Sequence, residues 1–285
     1  MGIVLGDNRY GKAEVRLLYV SREDGRHEIT DLNVSVALSG DLDAVHLTGD
    51  NSAVLSTDAQ KNTVFAMAQE HGVGQIEDFA LLLARHFVAS QQAITFARVS
   101  VEQYSWERLG GHSFCRSGRE TRTATVSHDG QASWVVSGLR DLVVLNSAGS
   151  EFWGFARDRY TTLAETKDRI LATAVDAQWR HASAEPGGWA ESYAGARELL
   201  LAGFAETYSY SLQQTLYAMG RRVLEGRPEI AEIRLALPNK HHFEVDMSPF
   251  GLANGGEVFY AADRPYGLIE GTVTRDEAPP PGRAW

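Results

Sequence analysis

Residues 76–87 read I-E-D-F-A-L-L-L-A-R-H-F. Phe79, Leu82, Leu83, His86 and Phe87 recur there at i, i+3, i+4, i+7 and i+8, the spacing of one apolar helix face, so this stretch is predicted to be helical and to pack on something apolar. A second stretch, L-Q-Q-T-L-Y-A-M-G-R-R-V at 212–223, opens in a similar way 136 positions later. The same offset carries Arg85 onto Arg221 and, in the strands predicted to follow, Arg98 onto Arg234. One offset serving both a helix and the strand after it points to an internal repeat; two unrelated α+β segments are the alternative.

Periodicity around those helices completes the pattern. Strands are predicted near 13–20 and 28–38, helices near 60–71 and 76–89, and strands near 94–107 and 118–127. The second half repeats the order, with strands near 133–145 and 174–182, helices near 189–204 and 211–225, and strands near 230–247 and 256–275. The expected fold class is α+β: two tandem β-β-α-α-β-β units, 1–136 and 137–285, each an antiparallel sheet with helices on one face.

Composition excludes several classes. The chain has 285 residues, 44% of them apolar and 22% charged, with only 8 prolines, which is the balance of a folded globular protein. No apolar run approaches the roughly 18 residues needed to span a bilayer, and none near the amino terminus resembles a signal-peptide core. A net charge of −10 disfavours nucleic acid, so an anionic small molecule would need a local cationic clamp. The single cysteine, Cys115, allows neither an internal disulfide nor a thiolate metal cage and fits a reducing, cytoplasmic setting. The tail A-P-P-P-G-R-A-W at 278–285 is expected to be extended and loosely held.

Two familiar motifs fail. Gly6–Lys12, G-D-N-R-Y-G-K, follows a phosphate-binding loop until Ala13 stands where the magnesium-ligating Ser or Thr belongs, and an alternating strand follows instead of a helix. Nine histidines show no metal-binding spacing, and His241 and His242, adjacent in a predicted strand, should point to opposite faces; no metal site is expected.

The residues that remain have chemistry with a plainer alternative beside it. Ser211–Gln214, S-L-Q-Q, is a capping-box pattern that places Gln213 in the first turn, where free amides and the helix dipole favour an anion; a surface glutamine is the plainer reading. Thr57–Gln60, T-D-A-Q, is a second such pattern and leaves the Thr57 hydroxyl at a helix entrance. Asn239, His241 and Phe243 should share one face of a strand, so that carboxamide and imidazole could hold a water or an oxygen molecule. Lys12 falls on the side of Glu14 and Arg16 by simple alternation and should be exposed; a lysine acts as a base near neutral pH only where burial or a neighbouring cation lowers its proton affinity by about 4 kcal/mol. Phe152–Arg169 reads as an aromatic turn and a short helical stretch, offering a ring for the face of a flat anion and a guanidinium fork for its edge, or else a core cluster beside a solvated arginine.

Taken together, Y-G-K at 10–12, S-T-D-A-Q-K-N-T at 56–63, F-W-G-F with Y-T-T-L and D-R across 152–169, S-L-Q-Q-T-L-Y at 211–217 and L-P-N-K-H-H-F-E at 237–244 strongly resemble urate oxidases (uricases). The resemblance runs from about residue 10 to Val273. It implies the tunnelling fold (T-fold), two β-β-α-α-β-β units per subunit that form a barrel on oligomerisation, in a homotetramer with active sites at subunit interfaces. It implies cofactor-independent oxidation of urate by O2 and water. By the resemblance, Arg169 and Gln213 grip the edge of urate, Phe152 stacks on it, and Leu163, Leu212 and Ile269 line the pocket. Lys12, Thr57 and His241 would form the proton relay and Asn239 would help hold dioxygen or water, with Thr57 and Asp58 coming from a neighbouring subunit. Leu212 where the family often has Val, Gln214 in place of a small residue, His242 where an aromatic is common and the absence of a peroxisomal ending point to a bacterial type. A zinc-dependent pterin-handling T-fold enzyme and a non-catalytic purine-binding barrel are the alternatives.

Overall fold

A computed structural model of the chain describes residues 2–22, 25–118 and 120–285, Asp263 by its backbone alone. The chain forms two units: Met1–Gly138 with Arg180–Ala190 and Pro279–Trp285, and Leu139–Trp179 with Glu191–Ala278.

Unit 1 runs β1 (Tyr10–Ser21), β2 (Glu28–Gly40), a short helix α1 (Asp43–Leu47), α2 (Thr57–His71), α3 (Ile76–Ser90) and β3 (Ile94–Tyr104). A small hairpin of β4 (Trp106–Arg108) and β5 (Phe114–Arg116) follows, then β6 (Thr121–His128) and the first part of β7 (Ser133–Asn146). Its strands lie in the order β1-β2-β3-β6-β7, and the pairs β1–β2, β2–β3 and β3–β6 are antiparallel. The apolar stripe of α3 does what its spacing predicts: Phe79, Leu83 and Phe87 are buried against Leu32, Val34, Val99 and Val126 of the sheet. Burying a side chain of that size contributes roughly 1.5–3 kcal/mol.

Unit 2 takes β7 from Leu139 onward and β8 (Leu171–His181) up to Trp179, followed by α4 (Trp189–Glu206) from Glu191, α5 (Leu212–Gly226), β9 (Ile230–Glu244) and β10 (Phe259–Thr274). The strand order is β7-β8-β9-β10, with β9 and β10 antiparallel. Leu212, Leu216, Met219 and Val223 of α5 pack with Ile233, Leu235 and Leu237 of β9 in a second core. Gly220 permits the close approach of α5 to β10, since a Cβ there would stand 2.6 Å from Val273 Cγ2.

The repeat is visible in the element bounds. α3 and α5 each have 15 residues and start at 76 and 212, and β3 and β9 start at 94 and 230, the offset of 136 in both cases. Three expectations are corrected. The strand predicted to run to 107 ends at Tyr104, and the hairpin β4–β5 follows it; the next strand starts at Thr121, and residue 119 lies outside the described ones. The stretch 152–169 contains no helix: an antiparallel bridge joins Phe152 to Thr166, with Phe152 N–H donating to Thr166 O at 2.8 Å and Thr166 N–H to Phe152 O at 3.0 Å. The tail is docked, with Ala284 1% exposed and its carbonyl accepting from Arg98 Nη1 at 3.2 Å.

Both helix entrances carry caps. Ser211 Oγ accepts from Gln214 N–H at 3.2 Å, and the Gln214 side chain reaches back to accept from Tyr210 N–H at 2.8 Å. At α2 the expected capping box at 57–60 is corrected: the cap is Ser56, one residue earlier, whose Oγ accepts from Ala59 N–H at 3.0 Å, so Thr57 is the first helical residue and its hydroxyl is not spent on capping. Ser211→Ala is expected to cost about 1 kcal/mol of stability, measured as a lowered denaturant midpoint at unchanged slope.

Candidate active site

Four separated segments of unit 2 surround a cavity of about 650 Å³. β9 supplies Asn239 and His241, β10 supplies Ile269, the entrance of α5 supplies Leu212 and Gln213, and the irregular stretch after β7 supplies Phe152, Leu163 and Arg169. Each position has a local cause. Asn239 and His241 are two apart in a strand and so face the same way, together with Phe243, whose ring lies nearly parallel to His241 at 5.7 Å and 19°. Gln213 stands in the first turn of a capped helix, where backbone N–H groups lack intrahelical partners. Ile269 pairs across the ladder with Leu237 and packs on the core, giving that wall its apolar floor.

Arg169 is held from two sides. Its backbone N–H donates to Ser150 O at 3.0 Å, its Nε–H donates to Ser150 Oγ at 3.1 Å, and its guanidinium carbon lies 5.1 Å from the centre of the Phe152 ring. Phe155 lies parallel to Phe152 at 5.0 Å and 14°. Burial pushes the Arg169 proton affinity below that of a free guanidinium, and no carboxylate pairs with it among the described residues. A desolvated cation without a counter-ion, beside an aromatic face and a helix N-terminus, is arranged for a flat anion. In a chain of charge −10 this is the local clamp that composition called for.

His241 is held below the usual imidazole pKa of 6.5, first by burial and then by the charges of Arg169 and His242. His242 also borders the cavity, so the two neighbours are not fully segregated by strand alternation. The unfolded chain takes up a proton at His241 more readily than the folded one. The stability due to the neutral ring is therefore present above pH 6.5 and lost as pH falls through the lower folded value. The fall in denaturant midpoint between about pH 7 and pH 5 is expected to be smaller in His241→Asn than in the native chain; an unchanged fall would show that His241 is not so perturbed.

Lys12, Thr57 and Asp58 are not among the cavity's lining residues and stand in unit 1. The expected side of Lys12 is corrected. The ladder pairs Lys12 with Val36 and Val15 with Val34, so Ala13 and Glu14 together oppose Ser35 in a β-bulge, with Glu14 at φ 57°. The extra residue puts Lys12 on the face of Val15, Val34 and Val36, away from that of Arg16, and leaves it half-buried. Asp58 bonds Lys61 Nζ at 2.6 Å and Asn62 Nδ2 at 3.0 Å. The bond to Lys61 and the Lys61 charge hold its carboxyl below the ordinary range, and the charge of Lys12 adds to this, placing the ammonium within electrostatic reach of the α2 entrance.

Ser150 escaped the sequence reading, because the segment that carries it has no period to follow. Among the described residues no group of three or more His, Cys, Asp or Glu is placed to hold a metal ion.

A family model described as Uricase matches residues 8–127 and 135–270. Uricase of Arthrobacter globiformis is 53% identical over 276 residues, covering 96% of this chain and 91% of the relative. Uricase of Dictyostelium discoideum is 37% identical over 282 residues, covering 95% and 98%. The crystal structure of the Arthrobacter globiformis uricase superposes with a TM-score of 0.95 at 52% identity, covering 98% of both chains. A uricase structure from Bacillus fastidious gives 0.80 at 24% identity over 95% of this chain and 94% of that one, a likeness of fold.

Proposed function

The chain belongs to the uricase family, and from that premise we propose that it oxidises urate with O2 and water to 5-hydroxyisourate and hydrogen peroxide, without a metal or organic cofactor. The observation that carries this reading is the partly buried Arg169, with no carboxylate partner among the described residues, beside Phe152 and Gln213 in one cavity. A guanidinium fork and a carboxamide suit the polar edge of a urate anion, the ring suits its face, and Leu163, Leu212 and Ile269 exclude water around it.

Dioxygen is a triplet, and most oxidases answer the spin restriction with a metal or flavin. Deprotonated urate is electron-rich enough to reduce oxygen itself. Arg169 and Gln213 hold the anion while Lys12, through the Thr57 hydroxyl, takes a proton from it. One electron passes to O2, and the radical pair joins at C5 as a peroxide anion, which takes the proton back from Lys12 through Thr57 to become a hydroperoxide held near Asn239 and His241. Peroxide leaves with a proton, and water adds to give 5-hydroxyisourate. The protein contributes orientation, charge stabilisation and proton transfer.

Lys12, Thr57 and Asp58 reach this cavity from a second copy of the chain, in a homotetramer with sites at subunit interfaces. The exposed apolar side chains of unit 2 support such an assembly: Val143 and Leu145 on β7 and Leu268 on β10 alternate with Val144 and Ile269, which pack on the core, and so lie on the sheet face turned away from it. A cytoplasmic location is supported by the single cysteine. Mixed with urate, the protein is expected to consume one O2 and release one hydrogen peroxide per urate lost; urate binding without peroxide would instead identify a purine-binding barrel.

A further inference from the structure

Arg169 and Gln213 sit on different segments, yet gripping one edge of a planar molecule requires a fixed spacing between them. The backbone around Ser150 supplies it. Ser150 and Ser209 form a parallel bridge in which Glu151 N–H donates to Ser209 O at 2.7 Å and Ser209 N–H to Gly149 O at 3.0 Å. Ser209 in turn is tied to the entrance of α5: its hydroxyl donates to Ser211 O at 3.1 Å, and the Thr215 hydroxyl donates to Ser209 Oγ at 2.8 Å. All three hydroxyl residues are buried, Ser150 at 1% exposure and Ser209 and Thr215 at 0%. On its other side Ser150 gives Arg169 two acceptors, its carbonyl for the backbone and its hydroxyl for Nε–H.

We propose that Ser150 is a positioning residue for the urate site: its buried hydroxyl fixes the guanidinium of Arg169 through Nε, leaving the two Nη groups for the substrate edge, in register with Gln213. The inference rests on the assignment of Arg169 and Gln213 to urate. Nε is the one guanidinium nitrogen with a hydrogen-bond partner among the described residues, so without the Ser150 hydroxyl the side chain is left to the weaker contact with Phe152. The fraction of Arg169 in the gripping rotamer then falls, and apparent affinity falls by that fraction.

The test is a double-mutant cycle on the full chain, read by the dissociation constant of urate measured without oxygen and by kcat and KM with oxygen. Ser150→Ala is expected to weaken urate binding about tenfold and to raise KM in parallel, with kcat changed less than about threefold. Ser150→Thr, which keeps the hydroxyl, is expected to retain most of the affinity. In an Arg169→Ala background Ser150→Ala should have less than about a twofold further effect. An equal loss from Ser150→Ala in both backgrounds, or native affinity in the single variant, would overturn the proposal. An Arg169→Ala chain that binds urate normally would instead overturn the assignment on which it rests. Should Ser150→Ala not fold, Ser150→Cys supplies the same comparison with a weaker acceptor at that point.

Discussion

Arg169→Ala is expected to weaken urate binding roughly ten- to 150-fold, the equivalent of the 1.5–3 kcal/mol of a charge-assisted, two-pronged hydrogen bond. The size follows from the setting. The guanidinium is partly buried and has no carboxylate partner among the described residues, so the native cavity bears the cost of an uncompensated cation until an anion arrives. Removing the cation leaves the ring of Phe152 and the apolar walls, which recognise a flat molecule but not its charge. Equilibrium binding in the absence of oxygen reads the effect directly. Arg169→Lys is expected to recover little of it, because an ammonium lacks both the planar fork and the Nε–H that bonds Ser150. Unchanged affinity in Arg169→Ala would remove this residue from the site.

Lys12→Met separates binding from turnover. If Lys12 receives the proton that urate gives up on the way to the peroxide, its loss should lower kcat by about 10²- to 10⁴-fold, the range for a positioned general base, with the dissociation constant of urate nearly unchanged. The side chain is the right one to test, because the bulge at Ala13–Glu14 turns it onto the face of Val15, within electrostatic reach of the α2 entrance that carries Thr57 and Asp58. Pre-steady-state mixing with urate, which resolves binding from oxidation, gives both numbers. A native kcat would exclude Lys12 from the proton path.

Much of this was legible in the sequence where a period or a cap was at work. The stripe of α3, the start of α5 and the shared offset of 136 follow from side-chain spacing, and the structure reproduces them in element bounds. The face shared by Asn239, His241 and Phe243 follows from strand alternation in the same way. What was hidden depends on partners far away in the chain or on one backbone torsion. The β1 bulge rests on Glu14 adopting φ 57°, with its N–H donating to Ser35 Oγ at 3.0 Å, and nothing in the local pattern marks it. Residues 152–169 contain helix-forming Ala, Glu and Lys. There, however, the Asp158 carboxylate takes the Tyr160 N–H at 3.0 Å and the Thr161 hydroxyl at 2.8 Å, a local turn that competes with a helix. The bridge to Thr166 then holds the chain open, so that Phe152 and Arg169 end on one wall. The docked tail likewise depends on Arg98, far away in sequence.

On the proposed mechanism the protein cavity alone lets bound urate reduce oxygen. The most direct test is oxygen uptake with urate by protein exhaustively treated with chelators and free of bound flavin. Undiminished uptake is expected, with one hydrogen peroxide formed per urate consumed. Uptake abolished by this treatment and restored by iron, copper or a flavin would contradict that mechanism.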